Sequence, residues 1–551
     1  MNKLIKDFDK IISSPNGINK TRELILQLAV QGKLTEQWRK ENPDVETASK
    51  LLKGLSKKNY KINSNIDKKE AIFVLPNSWE YCILETLGIT QTGTTPPKKD
   101  PNNFGNYIPF IGPGDIKNGK INYQNNGLSQ SGLKNGRLIK SKSVLMVCIG
   151  GSIGKAAINN IDVTCNQQIN TFTPYFKEYY EYYYIVLQST YFQELVLKKS
   201  SGSATPIINK QKWITIPIPV APLEEQKQIV EKVNSMMSFL DDLEEKQNRL
   251  NDKKIKLNNS SLDKLIKSEN TKEFKLNWNR ITQNFETLYS VTENVDKLKQ
   301  TILQLAIQGK LTEQWRKENP NVEPASELLK KIKAELGEQN SSTKFKSINS
   351  KIIFQSINLP TKWIVTKLFN LISLKSGKTI PKNFEKGNGK YMYLKVSDMN
   401  LSKNQFIVYT STRYIDESIF EKDLISSNSI IFPKRGGAIA TNKKRIVKTD
   451  IYCDSNVMSM KCPKHINIYY LYTWFLTIDL WELNSGTSVP QINNKDIFPL
   501  QFNLPPFEEQ KQIVKTVNEL MAICKKLEEK IKLKTEEQEK LVEAVVSTAI
   551  V

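Results

Sequence analysis

The segment Ile25 to Leu52, ILQLAVQGKLTEQWRKENPDVETASKLL, returns at Ile302 to Leu329 as ILQLAIQGKLTEQWRKENPNVEPASELL. Twenty-four of the 28 positions are identical, and the offset of 277 residues is about half of the 551-residue chain. Copying this close forces a tandem architecture, because a chain of this length exceeds what one core holds and each half must bury its own apolar surface. The copying continues in a second register. LPNSW (75–79) answers LPTKW (359–363), and TGTTP (92–96) answers SGKTI (376–380) followed by Pro381. SGSATPIIN (201–209) answers SGTSVPQIN (485–493), and PLEEQKQIV (222–230) answers PFEEQKQIV (506–514), every pair 284 residues apart. The seven extra residues fit a connector such as LGEQNSSTKFKSINS (336–350).

Between these marks the halves diverge. IPFIGPGDIKNGKINY (108–123) stands opposite YMYLKVSDMNLSKNQF (391–406), with little in common. A copied frame with uncopied filling reads as one fold presenting two different surfaces. Strand candidates are SVLMVCIG, DVTCNQQINTFTPY and WITIPIPV in the first half and KYMYLKV, NSIIFPK and DIYCDSNVMSM in the second, so each head is expected to be mixed α/β. The stretch from Phe176, FKEYYEYYYIVLQSTYFQELVLKK, reads as helix, and core packing is favoured over base stacking for its tyrosines.

After each PxEEQKQIV block the apolar period becomes heptad: Ile229, Val233, Met236, Leu240, Leu243, Leu250 and Leu257, then Ile513, Val517, Leu520, Cys524, Leu527, Ile531, Leu541 and Val545. A seam this narrow predicts coiled coil, in rods of about 35–40 residues and 50–60 Å. A shorter helix is expected before Gly32 and Gly309, which stop it as glycines just past a C-cap do. Asn42-Pro43 and Asn319-Pro320 are expected to open the next one as N-cap and first-turn proline.

Chemistry is mostly excluded. Leu504-Pro505-Pro506-Phe507 lacks the Asn or Asp acceptor that amino-methylation needs, and IGGSIGKAA has glycines too close, and the wrong residue after Lys155, for a phosphate loop. The single His465 has no evident partner, and the six cysteines form no CxxC pair, so neither cofactor nor metal is expected and reduced thiols are. No apolar run suits a signal or a spanning helix, which predicts a soluble, cytoplasmic protein with no membrane partner.

What remains is binding. Eighty Lys and Arg against 57 Asp and Glu give a formal charge of +23, which favours an anionic partner such as nucleic acid. Basic and small polar residues punctuate both variable regions. Candidates for phosphate and base-edge contacts are Thr94, Thr95, Lys98, Lys99, Lys117, Lys120, Arg137 and Lys140 in the first half, and Lys378, Lys382, Lys434, Arg435, Lys443, Lys444 and Arg445 in the second. Ile380 between Thr379 and Pro381 predicts that the second copy of the TGTTP loop differs in detail.

The doubled order of QLAVQGKL/QLAIQGKL, LPxxW, SGSATPIIN/SGTSVPQIN and PLEEQKQIV/PFEEQKQIV resembles the specificity subunits of type I restriction-modification systems, over nearly the whole chain. The resemblance implies two mixed α/β target-recognition domains (75–222 and 359–506) and helical regions at 1–74, 223–358 and 507–551. Long antiparallel coiled-coil helices would separate the domains in a pseudo-two-fold plan. It further implies a non-catalytic subunit that reads a bipartite double-stranded DNA target and scaffolds two methyltransferase subunits and the restriction/translocase subunits. Ile229, Val233, Met236, Leu240, Leu243, Ile513, Val517, Leu520, Leu527 and Ile531 would serve helix packing and subunit docking. A duplicated chain imitates a homodimer and can follow the pseudo-two-fold axis of a duplex, its rods acting as a ruler. The competing readings are a self-contained methyltransferase or nuclease, and a purely structural coiled-coil adaptor.

Overall fold

The structure, a computed structural model, describes residues 8–14, 16–57, 73–202, 204–337, 359–416, 420–485 and 489–550. The connector at 338–350 and parts of both SG loops lie outside them. The chain forms two compact units, Met1–Arg249 with Leu533–Val551, and Leu250–Lys532.

The first unit opens with helix α1 (Gly17–Val30) and the short α2 (Glu36–Glu41). Gly32, at φ +69°, ends α1 in a Schellman turn: the Lys33 N–H donates to the Leu28 carbonyl and the Gly32 N–H to that of Ala29. Asn42 proves to be the C-cap of α2, so Asn-Pro closes a helix, and the next one begins only at Ala48. The same correction holds in the second unit, where Asn319 caps a C-terminus and Pro324 is the N-cap of Ala325–Leu336.

The first head contains strands β1 (Glu80–Ile83), β2 (Gly88–Thr92), β3 (Phe104–Ile111), β4 (Ile116–Lys117), β5 (Lys120–Ile121), β6 (Gly127–Leu128), β7 (Val144–Val147), β8 (Ala156–Ile158), β9 (Thr164–Cys165), β10 (Ile169–Pro174) and β11 (Pro217–Val220). An antiparallel sheet runs β2-β10-β7-β8, a smaller one β6-β3-β9, and β1 pairs with β11. Trp213 and Ile214, expected in a strand, end a short helix instead. The tyrosine-rich stretch is two helices, Tyr180–Gln188 and Thr190–Lys199, because the Ser189 hydroxyl accepts from the Phe192 N–H and restarts the turn. Its Tyr182, Tyr183, Tyr191 and Phe192 are core residues. The long helix α3 (Leu223–Lys267) leaves the head.

The second unit repeats this plan. Helices α4 (Thr292–Ile307) and α5 (Glu313–Glu318) precede β12 (Ile364–Lys367), β13 (Ser373–Ser376), β14 (Tyr391–Leu394), β15 (Tyr414–Ile415), β16 (Ser429–Pro433), β17 (Arg445–Val447), β18 (Tyr452–Cys453), β19 (Val457–Lys461) and β20 (Gln501–Leu504), and α6 (Phe507–Ile550) closes it. The sheet orders are β13-β19-β16-β17 and β15-β14-β18, with β12 on β20. Both small sheets contain one parallel pair, β3 with β9 and β14 with β18.

The long helices have 45 and 44 residues, about 65 Å each at 1.5 Å per residue and so longer than the period suggested. Ile229, Val233 and Leu240 are buried, and Met236 and Leu243 pack on the same core, which also receives Val546 from the end of α6. In the second unit Leu262 and Leu265, near the end of α3, share a core with Ile513, Val517 and Cys524 near the start of α6, with Leu520, Leu527 and Ile531 packed against it. Within each unit, then, residues near the start of one rod share a core with residues near the end of the other. The expected seam fails at Leu250 and Leu257, which are more than half exposed, while Asn258, Leu262 and Leu265 are buried. A straight α-helix drifts about 20° per heptad, and the buried stripe resumes two eleven-residue steps on, from Leu240 to Leu262 and from Leu243 to Leu265. Among the described residues no helix is long and apolar enough to cross a membrane.

Candidate nucleic-acid interface

The copied motifs meet in space. In the first unit the fully buried Glu225 of PLEEQ accepts from Trp79 Nε1 of LPNSW (2.8 Å), from Thr35 Oγ1 (2.6 Å) and from the Arg39 guanidinium. In the second, Glu509 accepts from Trp363 Nε1 (2.8 Å), Thr312 Oγ1 (2.7 Å) and Arg316 Nη1 (2.6 Å). Gly32 and Gly309 make room for this: a Cβ at Gly32 would lie 2.8 Å from Pro76 and 3.1 Å from Trp79, and one at Gly309 2.9 Å from Pro360 and 3.0 Å from Trp363. The duplicated sentence is thus the socket in which each head is bolted to the first turn of its long helix, where the helix dipole also favours the carboxylate.

At one end of each main sheet four loops are laced together. In the first head Thr95 Oγ1 bonds Gln167, the Cys148 N–H donates to the Gln168 carbonyl (2.8 Å), the Gly150 N–H to that of Pro206 (2.8 Å), and the Ile208 N–H to that of Cys148 (3.0 Å). In the second, Thr379 Oγ1 lies 2.8 Å from Ser455 Oγ, the Lys434 N–H donates to the Asn456 carbonyl (2.8 Å), the Gly436 N–H to that of Pro490 (2.8 Å), and the Ile492 N–H to that of Lys434 (2.9 Å). The two TGTTP-type loops also share their anchor, Thr94 and Lys378 donating backbone N–H groups to the Cys165 and Cys453 carbonyls (2.8 Å each). The difference expected from Ile380 lies in packing: it is buried with Tyr393, Ile415 and Tyr452.

A second shared device was not legible from the sequence. Asp115 and Asp398, both buried, accept through Oδ2 from the N–H three residues earlier, Gly112 and Lys395 (2.8 Å each), at the end of matching strands β3 and β14. Directly after this clamp the heads part company. In the first, β4 and β5 form a hairpin turning through Asn118 (φ +50°) and Gly119 (φ +72°); in the second, the 3-10 turn that holds Asp398 runs on to Asn400 and another, Ser402–Asn404, follows.

Several candidate side chains are presented to solvent on these loops. Lys117 and Lys120 oppose each other across the hairpin, exposed, and Lys98, Lys99 and Lys382 are exposed as well. Thr94 and Thr95 are half-buried in their loop. Others are already engaged: Arg137 Nη1 donates to the Thr92 carbonyl (2.6 Å), Lys140 pairs with Asp162 (2.8 Å), and Lys378 lies 3.3 Å from Asp423. Lys434 reaches Ser376 Oγ (2.8 Å), its pKa lowered by burial and by Arg435; Arg435 is exposed beside Gln491 (3.3 Å); Lys443 bonds Asn400. Two candidates are corrected. Lys444 is 1% exposed, donating to the Ile478 carbonyl (2.8 Å) and Asn442 Oδ1 (2.7 Å), and burial takes its pKa down to about 7. Arg445 spends its guanidinium on the carbonyls of Asn404, Lys444 and Met399. Lys444 is closed off from solvent, while Arg445 is half-buried. All six thiols are buried, and burial pushes Cys148 and Cys165 up to about 12, leaving them unreactive.

Two like heads with unlike loops, each socketed on a long helix, make this a tandem two-headed protein. The family model for the type I restriction modification DNA specificity domain matches at 76–257 and again at 360–537, and the chain belongs to that family. It is 29% identical to the Type I restriction enzyme EcoAI specificity subunit of Escherichia coli, over 97% of this chain and 94% of that one. It is 23% identical to the MjaIX specificity subunit of Methanocaldococcus jannaschii, over 80% and 86%. A solved structure described under complex assembly and conformational transition of the type I R-M system shares the fold at TM-score 0.50 and 14% identity, covering 87% of this chain and 99% of that one.

Proposed function

We propose that this chain is the DNA-specificity subunit of a type I restriction-modification enzyme, reading a bipartite duplex target with one half-site per head. It carries no catalysis of its own and seats two methyltransferase subunits along its helical regions, with restriction/translocase subunits joining that core. The observation that carries the reading is the identical socket and loop lacing in heads whose post-clamp segments differ, together with the doubled family match. Methylation profiling of host DNA should show one split sequence that loses its methyl groups when the gene is deleted, while the purified chain alone transfers none from S-adenosylmethionine. Methyl transfer by the isolated chain, or a profile unchanged by deletion, would count against it.

The recognition domains are assigned to 75–222 and 359–506, and base reading to the segments after the aspartate clamps. Exposed Lys117, Asn118 and Lys120 project from a stiff two-residue turn of a kind that enters a major groove. Substituting all three by alanine is expected to weaken discrimination at one half-site by about 10- to 100-fold and leave the other unchanged, read by binding to duplexes altered in each half. Equal effects on both halves would sink the assignment.

A further inference from the structure

In each head a diglycine follows two residues after a strand of the main sheet: Gly150-Gly151 after β7 and Gly436-Gly437 after β16. The first glycine of each pair has a positive φ, +81° and +74°, which accounts for its identity. The second has no such reason. Gly151 and Gly437 lie outside the positive-φ region, and a Cβ on either would meet nothing within 4 Å. Both are exposed. Nothing inside the molecule requires glycine there, yet both halves have it, although the residues just before the pair differ, Cys148-Ile149 against Lys434-Arg435.

The diglycines sit on the laced platform, the Gly150 and Gly436 N–H groups tying them to Pro206 and Pro490. An exposed spot with no side chain and open space above it, repeated in heads that otherwise present different loops, suits a surface that is the same under both. On duplex DNA that surface is the sugar–phosphate backbone, while base edges differ between half-sites. We infer that Gly151 and Gly437 are close-approach points for the DNA backbone, one per head, setting each head's height and register for the divergent segments. This inference rests on the proposed function.

The test uses the full chain in complex with its methyltransferase subunits and a duplex carrying the split sequence found by methylation profiling. Gly151→Leu and Gly437→Leu should fold with unchanged unfolding midpoints. Each should bind about tenfold more weakly, to the target and to a scrambled duplex alike, with the preferred sequence unaltered. Gly151→Lys should bind better than Gly151→Leu, and Gly151→Glu worse, because the neighbour is anionic. Wild-type-like binding by the leucine variants, an indifferent charge series, or a loss confined to one base sequence would overturn the inference. Should the wild-type complex itself fail to prefer the target over the scrambled duplex, the proposed function fails, and the inference with it.

Discussion

Glu509→Ala is expected to destabilise the second unit by about 3–5 kcal/mol, the range for removing one partner of a buried ion pair. The loss is large because three donors converge on one carboxylate. Trp363 Nε1 and Thr312 Oγ1 would be left buried without an acceptor, and Arg316, about one-fifth exposed, would lose its buried carboxylate partner. Thermal unfolding should show the corresponding transition fall by roughly 10 °C. Glu225→Ala should do the same to the first unit through Trp79, Thr35 and Arg39. Glu509→Gln, which keeps the shape and one acceptor, should fall between. A shift under about 1 °C for the alanine variants would show that the socket does not hold the heads to their helices.

Lys444 gives the second large effect, in pH dependence. Its folded pKa, near 7, lies below the ordinary 10.5, burial outweighing the attraction of Asp479. Between those values the unfolded chain binds more protons than the folded one, so stability rises as pH increases from about 7 to 10.5; below 7 the full penalty of a buried ammonium applies. A separation this wide corresponds to several kcal/mol, on the order of 3–5. Lys444→Met removes the titration, at the cost of leaving the Ile478 carbonyl and Asn442 Oδ1 without that donor. The stability difference between wild type and variant, followed by denaturant unfolding from pH 6 to 10, should therefore move in favour of wild type as pH rises. A difference flat across that range would mean that Lys444 stays charged in the fold.

Much of the plan was legible in the one-dimensional pattern. A repeat of 24 identities in 28, and blocks keeping a 284-residue register, fixed the tandem organisation without any knowledge of contacts. The heptads announced two long helices, and Gly32 and Gly309 marked the ends of α1 and α4 correctly, since a positive-φ stop is a local property of the backbone. In α3 the seam was readable as far as Leu243 and lost at Leu250 and Leu257, because the true helical period departs from seven, whereas in α6 the expected Val545 is buried.

The site was less legible, for a reason the basic candidates illustrate. Lys443, Lys444 and Arg445 are neighbours in sequence, yet one bonds Asn400, one is buried above Phe475, and one is consumed by backbone carbonyls. A cation's availability depends on what the fold packs around it, and a string of letters carries no such information. Asp115 and Asp398 went unnoticed because their flanks differ; only the matched bonds to Gly112 and Lys395 show that they do one task.

By itself the sequence determined that this protein is built twice on a common frame with two unlike fillings, since periodicity and repetition are properties of order along the chain. Only the tertiary structure decided what the frame is for. Residues as far apart as Thr35 and Glu225, 190 positions, meet in a socket where burial turns a threonine, a tryptophan and an arginine into the fixed partners of one carboxylate. Which side chains remain at the surface to meet DNA follows from that packing.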